Sequence, residues 1–121
     1  METLSRTRKT KPPQKISLEN LEKKIKKPWS PISIAELNGI ISVRMVRFQG
    51  EFPKWHFHAN EDEFFLVLDG EAVIQTEHGN VTLAKGDGTI VHRGIKHCSK
   101  SENGAIVLVI ERTETKPAGD G

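Results

Sequence analysis

The stretch "WHFHANEDEFFLVLDG", residues 55–70, decides how this chain is read. Side chains alternate faces along a strand, so His56 and His58 share one face while Trp55 and Phe57 share the other. The two imidazoles then stand about 7 Å apart along the strand. In "EFFLVL" the residues Glu63, Phe65 and Val67 share a face, Phe64, Leu66 and Leu68 take the other, and Asp69-Gly70 ends the run as a turn. The connection "ANED" has hairpin length, which predicts that Glu63 returns beside His58. Two imidazoles and a carboxylate on one face are the ingredients of a metal site. They also occur on a solvated strand face, and spacing alone does not say which way that face points.

A third imidazole has to come from elsewhere, and "GDGTIVHRGIKHCSK", residues 86–100, supplies His97. It follows a turn at Gly94 and opens a strand in which His97 and Ser99 face opposite to Cys98. If the sheet closes on itself, His97 meets the other three groups across the interior. Three imidazoles and one carboxylate suit a divalent first-row metal and leave one or two coordination positions open.

On either side of this stretch, short apolar runs are divided by turn residues. "ISIAEL" precedes Asn38-Gly39, "IISVRMVRF" precedes Gln49-Gly50, "EAVIQTE" precedes His78-Gly79, and "VTLA" precedes Gly86-Asp87-Gly88. "TIV" and then "AIVLVIE", after Asn103-Gly104, complete the series. Regular short strands with glycine-bearing turns predict an all-β sandwich or barrel. Arg44 and Arg47 fall on opposite faces of their strand unless a bulge intervenes, so one of them can project inward toward an anionic ligand, although arginines on an edge strand are usually solvated. Cys98 reads as a small buried hydrophobe, and His78, beside a turn glycine, as surface.

The chain has 121 residues, enough for one domain that hides roughly two-thirds of its unfolded surface. Its net charge of +2 conceals an asymmetry: residues 1–28 hold 9 Lys/Arg against 3 Asp/Glu, and the remainder holds 9 against 13. The basic segment begins with charge and Pro12-Pro13 and predicts disorder over residues 1–15. In "SLENLEKKIKK", Leu18, Leu21 and Ile25 fall at helical spacing, Ser17 can cap the start and Pro28 stops the run. That helix has a thin apolar stripe and is expected to dock weakly or fray. No aromatic residue is interleaved before Trp29 and 28 residues cannot build a helix-turn-helix, which argues against nucleic acid as a partner. No run approaches the roughly 18 apolar residues of a membrane span. A single cysteine and no apolar leader segment point to a reduced, cytoplasmic setting. The polar end "RTETKPAGDG" reads as disordered, giving a tail over 1–28, a β domain over 29–112 and a second tail over 113–121.

Gly50, His56, His58, Glu63 and Gly70 are spaced as in the first sequence motif of the cupin superfamily, which the chain resembles over roughly residues 30–111. The second motif is present with two departures. Gly86, Asp87, Gly94 and His97 stand at the family positions, but His92 replaces a usual proline and Ser101 a usual asparagine. The resemblance implies a double-stranded β-helix, or jelly-roll barrel, with His56, His58, Glu63 and His97 as ligands of an internal metal. The ion would be Fe, Mn, Ni, Zn or Cu. It also implies a homodimer, for which the edge segment Trp29–Leu37 is the candidate contact.

A redox-active ion at such a site would support oxidation or ring cleavage of a small molecule, and a redox-silent one isomerase or lyase chemistry, with Glu63 as ligand or, if it detaches, as general base. The alternative is a module that binds metal or a small ligand without catalysis, since cupin barrels serve both ends. At the barrel mouth His92 reads as a rim residue, with a substrate-facing role as the other possibility.

Overall fold

The structure, a computed structural model, describes residues 12–121. Residues 1–11 of the basic tail lie outside the described part, and residues 12–17 carry no helix or strand. One short helix, α1 (Leu18–Glu22), is followed by seven strands: β1 (Ile32–Leu37), β2 (Ile41–Glu51), β3 (Glu63–Gly70), β4 (Ala72–Thr76), β5 (Gly79–Leu83), β6 (Gly88–Val91) and β7 (His97–Arg112). All pairings are antiparallel. The turn-punctuated runs thus became strands, and the all-β jelly-roll expectation holds.

β7 is the spine. Its first residues, His97 to Lys100, pair with β4, while Ala105 to Ile110 lie between β2 on one edge and β3 on the other and Glu111 and Arg112 pair with β2 alone. The remaining order is β1-β2-β7-β3-β6, with β5 beyond β4. Sequence reading places one strand at His97 and another after Asn103-Gly104. The structure merges them into one 16-residue strand, because the register shifts between Phe48 and Gly50 and between Val67 and Asp69 absorb the extra residues as bulges. Gly70 takes φ +81°, and a Cβ there would run into the Gly104 carbonyl, so the close crossing of β3 and β7 needs a glycine.

The alternation along β3 is buried at Glu63, Phe65 and Val67 and less so between them, and that face looks into the barrel. Val46, Phe48, Phe65, Val67, Ile74, Leu83, Val107 and Val109 form the main core. A second apolar cluster on the outer face of β2 joins Met45, Ile106 and Ile25.

The helix itself buries no residue, as a thin stripe predicts, but Ile25 beyond its end is firmly packed. α1 spans only Leu18–Glu22, capped by Ser17, whose side chain accepts from the Asn20 N–H. The apolar stripe leaves the helix before Ile25, which is buried against Met45 and Ile106, and the Ile25 carbonyl accepts from Arg47 Nε at 2.8 Å.

Residues 113–121 also differ from the disordered tail read from their composition. They fold back over the barrel: Thr113 and Thr115 carbonyls accept from the Arg44 guanidinium, and the segment 119–121 pairs with residues 57–59. Backbone groups and glycines make most of these contacts, so a polar composition conceals them.

Among the described residues no helix is long and apolar enough to cross a membrane.

Candidate metal centre

The segment read as a strand through "WHFH" is irregular apart from one bridge, and no hairpin joins it to β3. His56 pairs instead with His97: the His56 N–H donates to the His97 carbonyl at 2.9 Å and the His97 N–H to the His56 carbonyl at 2.8 Å. Two residues on, the His58 carbonyl accepts from Gly94 N–H at 2.8 Å. The first-motif histidines are therefore hung on the second-motif segment, while β3 pairs with β6 and β7. Glu63 still arrives beside His58, with Oε1 3.2 Å from His58 Nε2, by a different route from the one the hairpin predicts.

His56, His58, Glu63 and His97 converge. All four are buried, and one ligand atom from each lies within 4.8 Å of the others. Ring centroids of His56 and His97 are 4.5 Å apart, those of His56 and His58 5.1 Å. Glu63 Oε1 also lies 3.1 Å from His97 Nε2. A carbonyl oxygen can only accept, so the contacts of His56 Nδ1 with the Lys54 carbonyl and of His97 Nδ1 with the Ile95 carbonyl, each 2.9 Å, place a proton on both Nδ1 atoms. The Nε2 atoms of both rings face the centre of the cluster, where that of His97 hydrogen-bonds Glu63 Oε1 until an ion takes its proton's place. Such outward anchoring fixes tautomer and ring orientation for metal binding.

His58 tests the fit of an ion. Its side chain is 2 % exposed, and neither ring nitrogen has a hydrogen-bond partner: Nε2 is close to Glu63 without hydrogen-bond geometry. An unsatisfied buried polar group costs about 1–3 kcal/mol, and a cation between the Nε2 atoms and Glu63 removes that cost for Nε2, though not for Nδ1. The donor set, nitrogen with one carboxylate oxygen, suits Zn or a neighbouring transition metal.

The electrostatics of the cluster follow from its burial. Burial lowers the His56 pKa, and the adjacent imidazoles reinforce that shift. For His58, burial acts in the same direction, but the Glu63 carboxylate outweighs it and the pKa rises. Burial disfavours the Glu63 anion, yet the His58 and His97 imidazoles hold its carboxyl well below the usual carboxylate range.

Glu111 is a buried acid on the cavity wall that motif reading missed. Near the end of β7 it is 5 % exposed and shares the inward face with Val107 and Val109. Its Oε2 receives the Arg44 guanidinium at 2.7 Å, and its Oε1 has no partner. Burial, then the Glu63 carboxylate, push its pKa up to about 9 against the pull of Arg44. The alternation in "AIVLVIE" was the available signal, since it sets an acid in register with core valines. Arg44 and Arg47 do lie on opposite faces: Arg44 faces inward, but Glu111 and two carbonyls engage its charge.

His78 and His92 are exposed, and His92 stands 3.6 Å from Asp62 at the rim. Ser101, in place of the family asparagine, donates to the Glu71 carbonyl at 2.6 Å. Cys98 is buried with its thiol on the Phe52 carbonyl, and burial pushes its pKa up.

Beside the cluster a small cavity of about 60 Å³ opens to solvent. Trp29, Phe48, Phe52 and Phe65 form its aromatic wall, His56, Glu63, His97 and Glu111 its polar one, and Pro117 part of its mouth. Trp29 is held in place by its ring contact with Phe48, 4.6 Å between centroids, and by an Nε1–H bond to the Gln49 carbonyl.

A small antiparallel jelly-roll barrel with an inward cluster of three imidazoles and one carboxylate defines a class of metal-binding β-barrels. The sequence profile described as Cupin domain matches residues 44–111, and the chain belongs to the cupin family. It is 30 % identical over 93 residues to the uncharacterized protein YdbB of Bacillus subtilis (strain 168), covering 76 % of this chain and 80 % of that one. A cupin-2 domain containing protein from Shewanella frigidimarina superposes with a TM-score of 0.76 at 31 % identity, over 80 % of this chain and 93 % of its own. The protein NMB1881 of Neisseria meningitidis gives a TM-score of 0.74 at 25 % identity, over 83 % of this chain and all of its own.

Proposed function

We propose that His56, His58, Glu63 and His97 bind one divalent transition metal, and that the adjoining cavity takes a small, uncharged, partly apolar or aromatic molecule bearing a hydroxyl or carbonyl oxygen. The observation that carries this reading is the opening of a convergent imidazole–carboxylate cluster onto an aromatic wall. Among the described residues lining the cavity there is no lysine or arginine, and Arg44 nearby is already paired, so a phosphorylated or carboxylated ligand is disfavoured.

When bound, the metal supplies Lewis acidity and, if redox-active, electron transfer with dioxygen. The chain's own groups do the rest. Nδ1–H bonds orient His56 and His97, and Glu63 brings the negative charge. Glu63 lines the cavity's polar side and, if it detaches from the imidazoles, is the carboxylate available to a ligand there. Phe48, Phe52 and Phe65 exclude water from the ligand's apolar side. The reaction is accordingly of dioxygenase, isomerase or lyase type.

The test is a panel of phenols, diols and hydroxyketones offered to protein reloaded in turn with Fe, Mn, Ni, Zn and Cu, following oxygen uptake and isomer formation. Metal-dependent turnover that Glu63→Gln abolishes supports an enzyme. Saturable ligand binding without turnover supports the non-catalytic binding module instead.

We also propose a homodimer through the β1 edge, where Leu37 and nearby Ile40 are exposed. Trp29 is committed to the cavity wall, which restricts the contact to β1 itself. One monomeric species at all concentrations in gel filtration contradicts it.

A further inference from the structure

Two of the three clustered imidazoles are steered by backbone carbonyls and one is not. His56 Nδ1 has the Lys54 carbonyl and His97 Nδ1 the Ile95 carbonyl, whereas His58 Nδ1 is buried without a partner. A ring nitrogen of His58 lies within 4.8 Å of carboxylate oxygens of both Glu61 and Asp120. Because Nε2 is turned to Glu63, the Nδ1 edge is the one left for these acids.

Asp120 comes from the folded-back end of the chain and is fixed on both sides of His58. Its N–H donates to the Phe57 carbonyl at 2.8 Å, and its Oδ2 accepts from the Ala59 N–H at 2.8 Å. Next to it, Phe57 N–H donates to the Gly121 carbonyl at 3.3 Å. Gly119, at φ +81°, lies so close to His56 that a Cβ there would stand 2.7 Å from the His56 side chain and from the Phe57 carbonyl. No such backbone tether to the neighbours of His58 exists for Glu61 among the described residues.

We propose that Asp120 is the positioning residue for His58: its carboxylate accepts the His58 Nδ1–H, holds the tautomer with a free Nε2, and makes the segment 117–121 a clamp on the metal-binding loop. The proposal rests on the metal assignment above and deepens it. An anionic acceptor behind a ligating imidazole raises its basicity as well as fixing its orientation, and loss of such a partner typically lowers metal affinity about 10–100-fold. Small backbone-sized residues at 119 and 121 follow from the same packing, since side chains there would push the strap off His56 and Phe57.

The experiment has two arms on the full-length chain. In the first, Zn2+ or Co2+ affinity is measured by competition with a chromophoric chelator. Asp120→Ala is expected to weaken binding roughly 10–100-fold, Asp120→Asn to recover part of the loss through its amide oxygen, and Glu61→Ala to change it less than about threefold. In the second, side-chain 15N NMR of the metal-free protein reads the His58 tautomer. At a pH where the ring is neutral, wild type is expected to show mainly Nδ1–H, and Asp120→Ala a larger share of the Nε2–H form that Glu63 favours.

Unchanged affinity and tautomer in Asp120→Ala overturns the proposal, as does a loss that follows Glu61→Ala instead. If wild type binds no metal, the metal assignment fails, while the NMR arm still decides the Asp120–His58 pairing. Gly119→Val serves as a second disruptor and is expected to reproduce the Asp120→Ala tautomer mixture with every carboxylate intact. A wild-type tautomer pattern in that variant contradicts the clamp.

Discussion

The two halves of the barrel interior are built from the same strands and do opposite work. Toward one end the inward positions are Val67, Ile74, Leu83 and Val107, all buried and all apolar. Toward the other, the same faces of β3 and β7 carry Glu63, His97 and Glu111. The apolar half gains from every side chain removed from water, at about 25 cal/mol per Å2. The polar half takes charge and imidazole out of water, which is unfavourable unless the groups satisfy one another or a cation. Stability is thus concentrated in the first half, and the second gathers groups that could hold a metal ion.

The largest effect that separates the halves is expected at Ile74. Ile74→Ala opens a void at a fully buried position and should cost about 2–5 kcal/mol in denaturant unfolding. Metal affinity per folded molecule should stay unchanged. A parallel loss of affinity would mean that the halves are not separable.

A smaller effect comes from pH. Glu111 has its pKa raised from 4.5 to about 9, by burial first and then by Glu63, so the folded metal-free protein holds a proton that the unfolded chain releases. Its stability should therefore fall as pH rises across that window. His58, with its pKa raised above 6.5 because Glu63 outweighs burial, adds a decline in the same direction at higher pH. Glu63, held low, works the other way, and its contribution is lost only as pH drops below 4.5. Thermal unfolding in chelator between pH 5 and 9 should show a decline that Glu111→Gln flattens. An equal slope in the variant would assign the dependence elsewhere.

The smallest effects belong to the rim. His78→Ala and His92→Ala, both on exposed side chains, should leave metal content unchanged and shift stability by no more than about 0.5 kcal/mol. A loss of metal in His92→Ala, measured by elemental analysis, would extend the polar half to the barrel mouth.

The sequence displayed the polar half better than the parts that hold it. His56, His58, Glu63 and His97 stand at spacings that a motif preserves, and the alternation in β3 already set Glu63 with Phe65 and Val67. The route by which they meet was hidden, because His56 pairs with His97 across 41 positions rather than with β3 through a hairpin. Glu111 was visible only as an acid at an inward position, and its importance depends on which strands flank β7. The end segment was illegible for a different reason. Lys116, Pro117, Gly119 and Asp120 have the composition of a loose tail, and what orders them is backbone hydrogen bonding to residues 57 and 59 and the absence of side chains at Gly119 and Gly121. Ile25 falls at helical spacing with Leu18 and Leu21, but its burial depends on the outer face of β2, which spacing does not show.

The most direct test of the central claim is the metal content of untagged protein, determined by elemental analysis alongside His58→Ala, His97→Ala and His78→Ala. One transition-metal ion per chain in wild type and in His78→Ala, with substoichiometric content in the other two, is the predicted result. Equal content in all four proteins, or none in any of them, contradicts it.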